Sequence, residues 1–267
     1  MIVAELNKLI RRPRTWVLVL LLCLLPTTVA IFVKVSEIAP RPGTGPAFLS
    51  AVLDNGALFP AAALAIVLPL FLPVAVAVVS GESVAGEAQA GTLRYLLIRP
   101  VGRTRLLVAK LISTLAFTLL SVTTVAIVSY VVGTQLFGTE PVSSISGSEF
   151  TGQDAAIRIT LTVLYVGWSM LGVASVALFL STVTDSPLVA ALGAVGVLVA
   201  STLLVTLEAA QSVQPYLPTR YWLAFIDLYR DPVVYRDLVR GLGIQLVYIV
   251  VLLTAAWANF STKDISS

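Results

Sequence analysis

The side chains able to do chemistry are few, and their types narrow that chemistry at once. The 267 residues contain no histidine, which removes Ser-His and Cys-His nucleophile pairs, histidine metal ligation and the commonest proton shuttle. Cys23 is the single cysteine. It lies in an apolar run, permits neither an internal disulfide nor a cysteine metal cluster, and reads as a small core residue. No G-x-x-x-x-G-K-[ST] loop is present to cradle nucleotide phosphates. The charged residues stand at the ends of long apolar runs. Glu82, Asp185, Arg158 and Glu208 all fall at expected span ends, so the spans lack the buried charges of a proton relay and the facing aspartates of an intramembrane protease. The residues predict a chain with no active site, metal or cofactor of its own.

The elements that must position the remaining polar groups follow from composition. Apolar residues make up 58% and charged residues 12% of the chain, with a mean hydropathy of +0.96. Soluble domains hold roughly 45–50% apolar and about 25% charged residues, so this chain belongs in a bilayer. Long apolar runs predict six transmembrane helices over about 16–35, 57–80, 108–137, 157–183, 187–207 and 241–261, each long enough to cross about 30 Å of hydrocarbon. Helices are required because unpaired backbone groups are costly in lipid. The expected fold is all-α, one polytopic transmembrane domain over 1–267. The net charge of +3, carried mostly by Arg beside apolar runs, points to anionic lipid headgroups and away from nucleic acid. The first apolar run follows a basic stretch as in a signal peptide, but it is long and lacks a convincing cleavage site, so it is expected to be retained as the first span.

Basic residues set the orientation. Lys8, Arg11, Arg12 and Arg14 precede the first span, and Arg94, Arg99, Arg103, Arg105 and Lys110 follow the second; both groups are expected in the cytoplasm, with both termini. Glu140, Glu149 and Asp154 then fall outside, and 184–187 forms a tight cytoplasmic turn. The stretch 208–240 runs against the rule, since alternation places Arg220, Arg230, Arg236 and Arg240 outside. At the N-terminus, Val3, Leu6, Leu9 and Ile10 recur at helical spacing opposite Glu5, Lys8, Arg11 and Arg12, which predicts an amphipathic helix over 2–12 lying in the headgroup plane. Pro13 marks the bend into the first span.

The most informative segment is 81–106 and its flanks, SGESVAGEAQAGTLRYLLIRPVGRTRLLVAK from Ser80 to Lys110. Thr92 is a candidate N-cap after Gly91, Leu93, Leu96 and Leu97 make an i, i+3, i+4 apolar face, and Pro100 with Gly102 ends the short helix. Lys110 is expected to reach back to the headgroups. A short amphipathic helix held at a membrane face by two spans suits a docking knob.

These residues carry a resemblance. The segment is similar to the one between the second and third spans of type-2 ABC exporter permeases: an acidic residue, Gly-Thr-Leu, a Leu-Leu pair, a Pro, a basic residue and a Lys. Glu87, Gly91, Thr92, Leu93, Leu96, Leu97, Pro100, Arg103 and Lys110 fill those places in order, with Arg99 between; Arg94 departs, standing where a Glu is common. The resemblance implies that the segment is a coupling helix docking on a separate ATPase subunit. It also implies ATP and Mg²⁺ on that partner rather than on this chain, export from a cell membrane, and a second permease copy, most simply as a homodimer. The rival class is an ion-driven secondary transporter or channel.

Two further groups stand out. The external stretch 208–240 holds Tyr216, Tyr221, Trp222, Phe225, Tyr229 and Tyr235. It predicts two short amphipathic helices at the outer interface, with Asp231-Pro232 as a helix start and Tyr216, Tyr221, Trp222 and Phe225 as a candidate exit gate or aromatic anchor. In the fifth span Gly193, Gly196 and Ala200 share a face suited to close helix contact or a cavity. Pro26, Pro69 and Pro73 are expected to kink spans. Spans lined by Leu, Val, Ala, Ser and Thr favour an amphipathic or lipid-like cargo such as a drug, lipid or peptide.

Overall fold

The computed structural model describes residues 2–36, 56–91, 103–138, 142–143 and 149–262. The architecture is all-helical, and six helices are long and apolar enough to cross a membrane. In chain order the helices are α1 (Ile2–Arg11), α2 (Pro13–Ser36), α3 (Phe59–Val67), α4 (Phe71–Gln89), α5 (Arg103–Phe137), α6 (Gly152–Val183), α7 (Pro187–Thr206) and α8 (Arg236–Thr262). Among the described residues, strands are limited to an antiparallel pair of two-residue pieces, β1 (Val142–Ser143) and β2 (Glu149–Phe150).

The helices run up and down between two ends of a bundle. At one end, here the basic end, Lys8 of α1 meets Glu87 of α4. There too the Trp257 indole of α8 donates to Thr104 of α5 at 2.8 Å, and Asn259 of α8 donates to the Thr182 carbonyl of α6 at 2.9 Å. The last turn of α1, the start of α5 and the ends of α4, α6 and α8 therefore share this end. At the opposite end Gly56 N–H donates to the Gly138 carbonyl. The three-residue turn between α6 and α7 is as short as expected; Ser186 caps α7 and Pro187 follows at its first position.

One expected span is not continuous. The stretch 57–80 was expected as a single helix, but it is a 3₁₀ turn (Gly56–Leu58), α3, a turn at 68–70 and then α4. Pro69 in that turn supplies no amide to a continuing ladder, and Pro73 lacks one in the first turn of α4. Pro26 by contrast sits within an unbroken α2. A second difference lies at the helix starts. α5, α6 and α8 begin at 103, 152 and 236 instead of 108, 157 and 241, because hydrophobicity ends where hydrocarbon does and the backbone ladder does not. At α6 the extension is fixed by a capping box: Thr151 accepts from the Asp154 amide and Asp154 accepts from the Thr151 amide.

Small residues bring the helices together. Gly56 and Gly133 back onto each other, so that a methyl on either would collide with the other's backbone carbonyl. Gly81 of α4 lies against Ala191 of α7, where a Cβ would stand 3.0 Å from the Ala191 nitrogen. Ser181 of α6 reaches into the α4 backbone, accepting from Val84 and Ala85 amides at 3.1 and 2.9 Å and donating to the Gly81 carbonyl at 2.6 Å. Two glycines use the left-handed region: Gly91 (φ 66°) closes α4 and Gly138 (φ 81°) closes α5.

Candidate functional site

Charged side chains of the basic end form one cluster, and its members come from four helices, α1, α2, α4 and α5. Lys110 of α5 is the centre. Its ammonium donates to Glu87 of α4 and to Glu5 of α1, the latter at 3.1 Å, and Lys8 of α1 donates to the same Glu87 oxygen at 2.8 Å. Farther out, Arg14 of α2 donates to Glu82 of α4, and Arg12 stands 3.9 Å from the other Glu82 oxygen. Together with Ser113, Thr114 and Pro187 these groups line a cavity of about 430 Å³.

The sequence places these groups for identifiable reasons. In α1, Glu5, Lys8 and Leu9 fall on adjoining parts of the helical circumference, and that side docks: Leu9 is buried while Ile2, Val3 and Ile10 are exposed. The docked side meets protein through the ion pairs of Glu5 and Lys8. The apolar side of α1 is left outward, as a helix in the headgroup plane requires. The bend after α1 falls where expected, with Arg12 between α1 and the Pro13 start of α2.

Two expectations about charge are corrected here. Lys110 does not reach back to the headgroups: its side chain is 3% exposed and Glu87's 7%. Two carboxylates can hold an ammonium out of water at less cost than an unpaired burial, and that is what encloses it. Glu82 was expected at a span end and Glu87 in the connection beyond it; both lie within α4, which runs on to Gln89.

Of the expected docking residues, Glu87 is in this cluster and Gly91 ends α4. Arg103 opens α5. Thr92, Leu93, Arg94, Leu96, Leu97, Arg99 and Pro100, and hence the short helix itself, lie outside the described residues. Glu5, Lys8, Glu82 and Lys110 as a cluster were missed. The available signal was the order of signs, Glu-Lys in α1 against Glu and Lys flanking the connection.

At the opposite end the 208–235 stretch is not α-helical, and its middle, from Leu217 to Tyr229, packs into the protein. It contains 3₁₀ segments at Glu208–Ala210, Gln214–Tyr216 and Trp222–Tyr229, in place of the expected amphipathic helices. Asp231-Pro232 does not start a helix: it is a cis peptide in a bend, and α8 begins at Arg236. Tyr221, Trp222, Phe225 and Tyr229 are buried, whereas Tyr216 is 66% exposed. Inward-facing hydrogen bonds hold the stretch. Tyr165 donates to the Tyr221 carbonyl at 2.7 Å, Gln245 to the Pro218 carbonyl at 2.7 Å, and Tyr229 shares a 3.0 Å bond with Thr162. Arg158 of α6 donates to the carbonyls of Leu228 and Arg230. Burial pushes the Tyr229 phenol up from its ordinary pKa, so it stays protonated and neutral. Gly241 lets α8 approach this stretch, for a Cβ there would strike the Tyr165 hydroxyl and stand 2.8 Å from Tyr221.

The small face on α7 divides. Gly193 has Leu180 against it, while nothing stands near Gly196, and Gly196 and Ala200 are exposed. The side of α7 that packs internally is instead Ala190, Ala191, Ala194, Leu198 and Ser201.

A family model described as a protein of unknown function (DUF2705) matches residues 27–266. No curated protein matches the chain.

Proposed function

The chain belongs to the DUF2705 family of unknown function, and from that premise we propose that it is the transmembrane permease subunit of an ATP-driven ABC exporter. The observation that carries this reading is how the connection between α4 and α5 is anchored. Glu87, four residues before Gly91, and Lys110, seven residues into α5, are locked to each other and to Glu5 and Lys8 of α1. A partner that moved the segment between Gly91 and Arg103 would thereby move three helices as a unit. That mechanical arrangement supports the resemblance of Glu87–Lys110 to the coupling segment of type-2 exporters.

In this reading the separate ATPase subunit supplies ATP and Mg²⁺, and nucleotide-driven closure of that subunit shifts the population of helix orientations. The chain itself makes and breaks no bonds. The basic end faces the cytoplasm, since Lys8, Arg11, Arg12, Arg14, Arg105 and Lys110 gather there, and α1 and the last turn of α8 lie with it. A second copy completes the path, and the exposed Gly196 and Ala200 leave α7 open to it. Tyr216, Tyr221, Trp222 and Phe225 form the exit gate for an amphipathic cargo, the buried aromatics closing the outer end.

The test is affinity purification of the tagged chain in mild detergent with mass identification of what is retained and an ATPase assay. A stoichiometric nucleotide-binding subunit, lost when Leu96 and Leu97 are both replaced by Asp, supports the reading. A chain that purifies alone and without ATPase activity in several detergents overturns it in favour of an ion-driven transporter or channel.

A further inference from the structure

The cavity at the basic end has an inner and an outer half with different charge accounts. In the inner half Glu5, Lys110, Glu87 and Lys8 alternate in sign and satisfy one another. In the outer half two guanidiniums face one carboxylate. Arg14 takes one Glu82 oxygen by a hydrogen bond. Among the described residues Arg12 meets only the other Glu82 oxygen, at 3.9 Å, beyond hydrogen-bond reach. The Arg12 side chain is 37% exposed and lines the cavity, with no side-chain hydrogen bond to Glu82 at that distance. The start of α7, through Pro187, lines the same cavity and adds the positive end of a helix dipole.

The depth of the mouth is set by α1. Its outward face is Ile2, Val3 and Ile10, and Trp16 beside it is exposed with its indole donating to the Ile10 carbonyl. Such a helix lies at the boundary between headgroups and acyl chains. The cavity therefore opens at the level of lipid phosphates, presents a planar fork suited to two phosphate oxygens, and at about 430 Å³ has room for a headgroup.

We propose that this cavity is a binding site for the phosphate of a membrane phospholipid, held by Arg12 with Arg14 and the start of α7, the acyl chains passing into the hydrocarbon beside α1. Bound there, the lipid joins α1, α2, α4 and α7 and stabilises their packing whatever the protein carries.

The experiment is native mass spectrometry of the full chain from mixed micelles containing phosphatidylglycerol, paired with thermal unfolding in the same micelles. The expected result is one retained phospholipid on the unmodified chain, with occupancy lowered about tenfold by Arg12→Gln, as loss of a charge-assisted bidentate contact implies. Arg12→Lys, which keeps the charge and drops the fork, should fall between. Arg11→Gln should change nothing, because Arg11 is exposed and does not line the cavity. Equal loss in Arg11→Gln and Arg12→Gln would reduce the effect to diffuse attraction and overturn the site, as would absence of any retained lipid on the unmodified chain. Protection against heat by inorganic phosphate alone, abolished by Arg12→Gln, would assign the cavity to free phosphate and overturn the lipid assignment.

Discussion

Lys110 of α5 and Glu87 of α4 form an ion pair with both side chains nearly closed off from solvent, at 3% and 7% exposure. The pair is not isolated, since Glu5 and Lys8 of α1 extend it at either side. Lys110 is the member that touches two carboxylates, so removing it takes the buried ammonium from both Glu5 and Glu87 and leaves Lys8, at the exposed side, as the remaining cation of the cluster. Lys110→Met should therefore lower stability by about 3 kcal/mol, the scale for breaking a buried pair from one side. Lys8→Met, on a side chain 40% exposed, should cost under about 1 kcal/mol. Thermal or denaturant unfolding in detergent would read the order, and equal effects would contradict the assignment of Lys110 as the hub.

The close backbone approach of Gly56 and Gly133 gives a second expectation. A methyl on Gly133 would press on the Gly56 carbonyl and stand 2.5 Å from the Phe59 Cβ, which only separation of α5 from α3 can relieve. Gly133→Ala should destabilise by about 1–3 kcal/mol. Gly196→Ala has open space around it and should be neutral or slightly stabilising through helix propensity, by up to about 1 kcal/mol. A loss of dimer with Gly196→Ala and unchanged monomer stability would instead show that this face is occupied by a second copy, which size-exclusion chromatography with light scattering would detect.

Much of the fold could be read from the chain because a bilayer imposes one criterion, an apolar run of sufficient length, on every span. The break at 68–70 escaped because Leu68, Pro69 and Leu70 are as apolar as their surroundings, and hydropathy carries no information about backbone continuity. The charge cluster escaped for a different reason. The partners of Glu87 and Lys110 lie 79, 23 and 105 positions away, and periodicity within one helix is blind to contacts between helices. The aromatic stretch before α8 was noticed by composition, but whether Trp222 and Phe225 faced lipid or core depended on Gly241 and Tyr165, which lie outside it.

The orientation is open to direct labelling. In a Cys23→Ser background, Ala90→Cys sits at the exposed end of α4 on the basic end, and Ser146→Cys lies in the connection between α5 and α6. A membrane-impermeant thiol reagent applied to intact cells should label Ser146→Cys and spare Ala90→Cys until the cells are opened. The reverse pattern would turn the protein over in the membrane and place the basic end outside, against the distribution of Lys and Arg.

The 208–235 stretch provides the last expectation, because its attachments differ in burial while sharing chemistry. Tyr165 and Tyr248 each donate a phenol hydroxyl to a backbone carbonyl of this stretch, Tyr165 to Tyr221 at 2.7 Å within the core and Tyr248 to Tyr216 at 3.2 Å at an exposed position. Deleting the buried hydroxyl leaves the Tyr221 carbonyl without that partner where water cannot replace it, a cost of about 1–3 kcal/mol. Deleting the exposed one returns Tyr216 to solvent at almost none. Tyr165→Phe should therefore lower the unfolding temperature and hasten proteolysis in the exposed bend around Arg230 and Asp231, while Tyr248→Phe leaves both unchanged. If the stretch is also the exit gate, Tyr165→Phe should raise basal ATPase activity of the assembled transporter by loosening the closed state. Faster proteolysis without altered ATPase activity would keep the stretch as structure and remove it from the transport cycle.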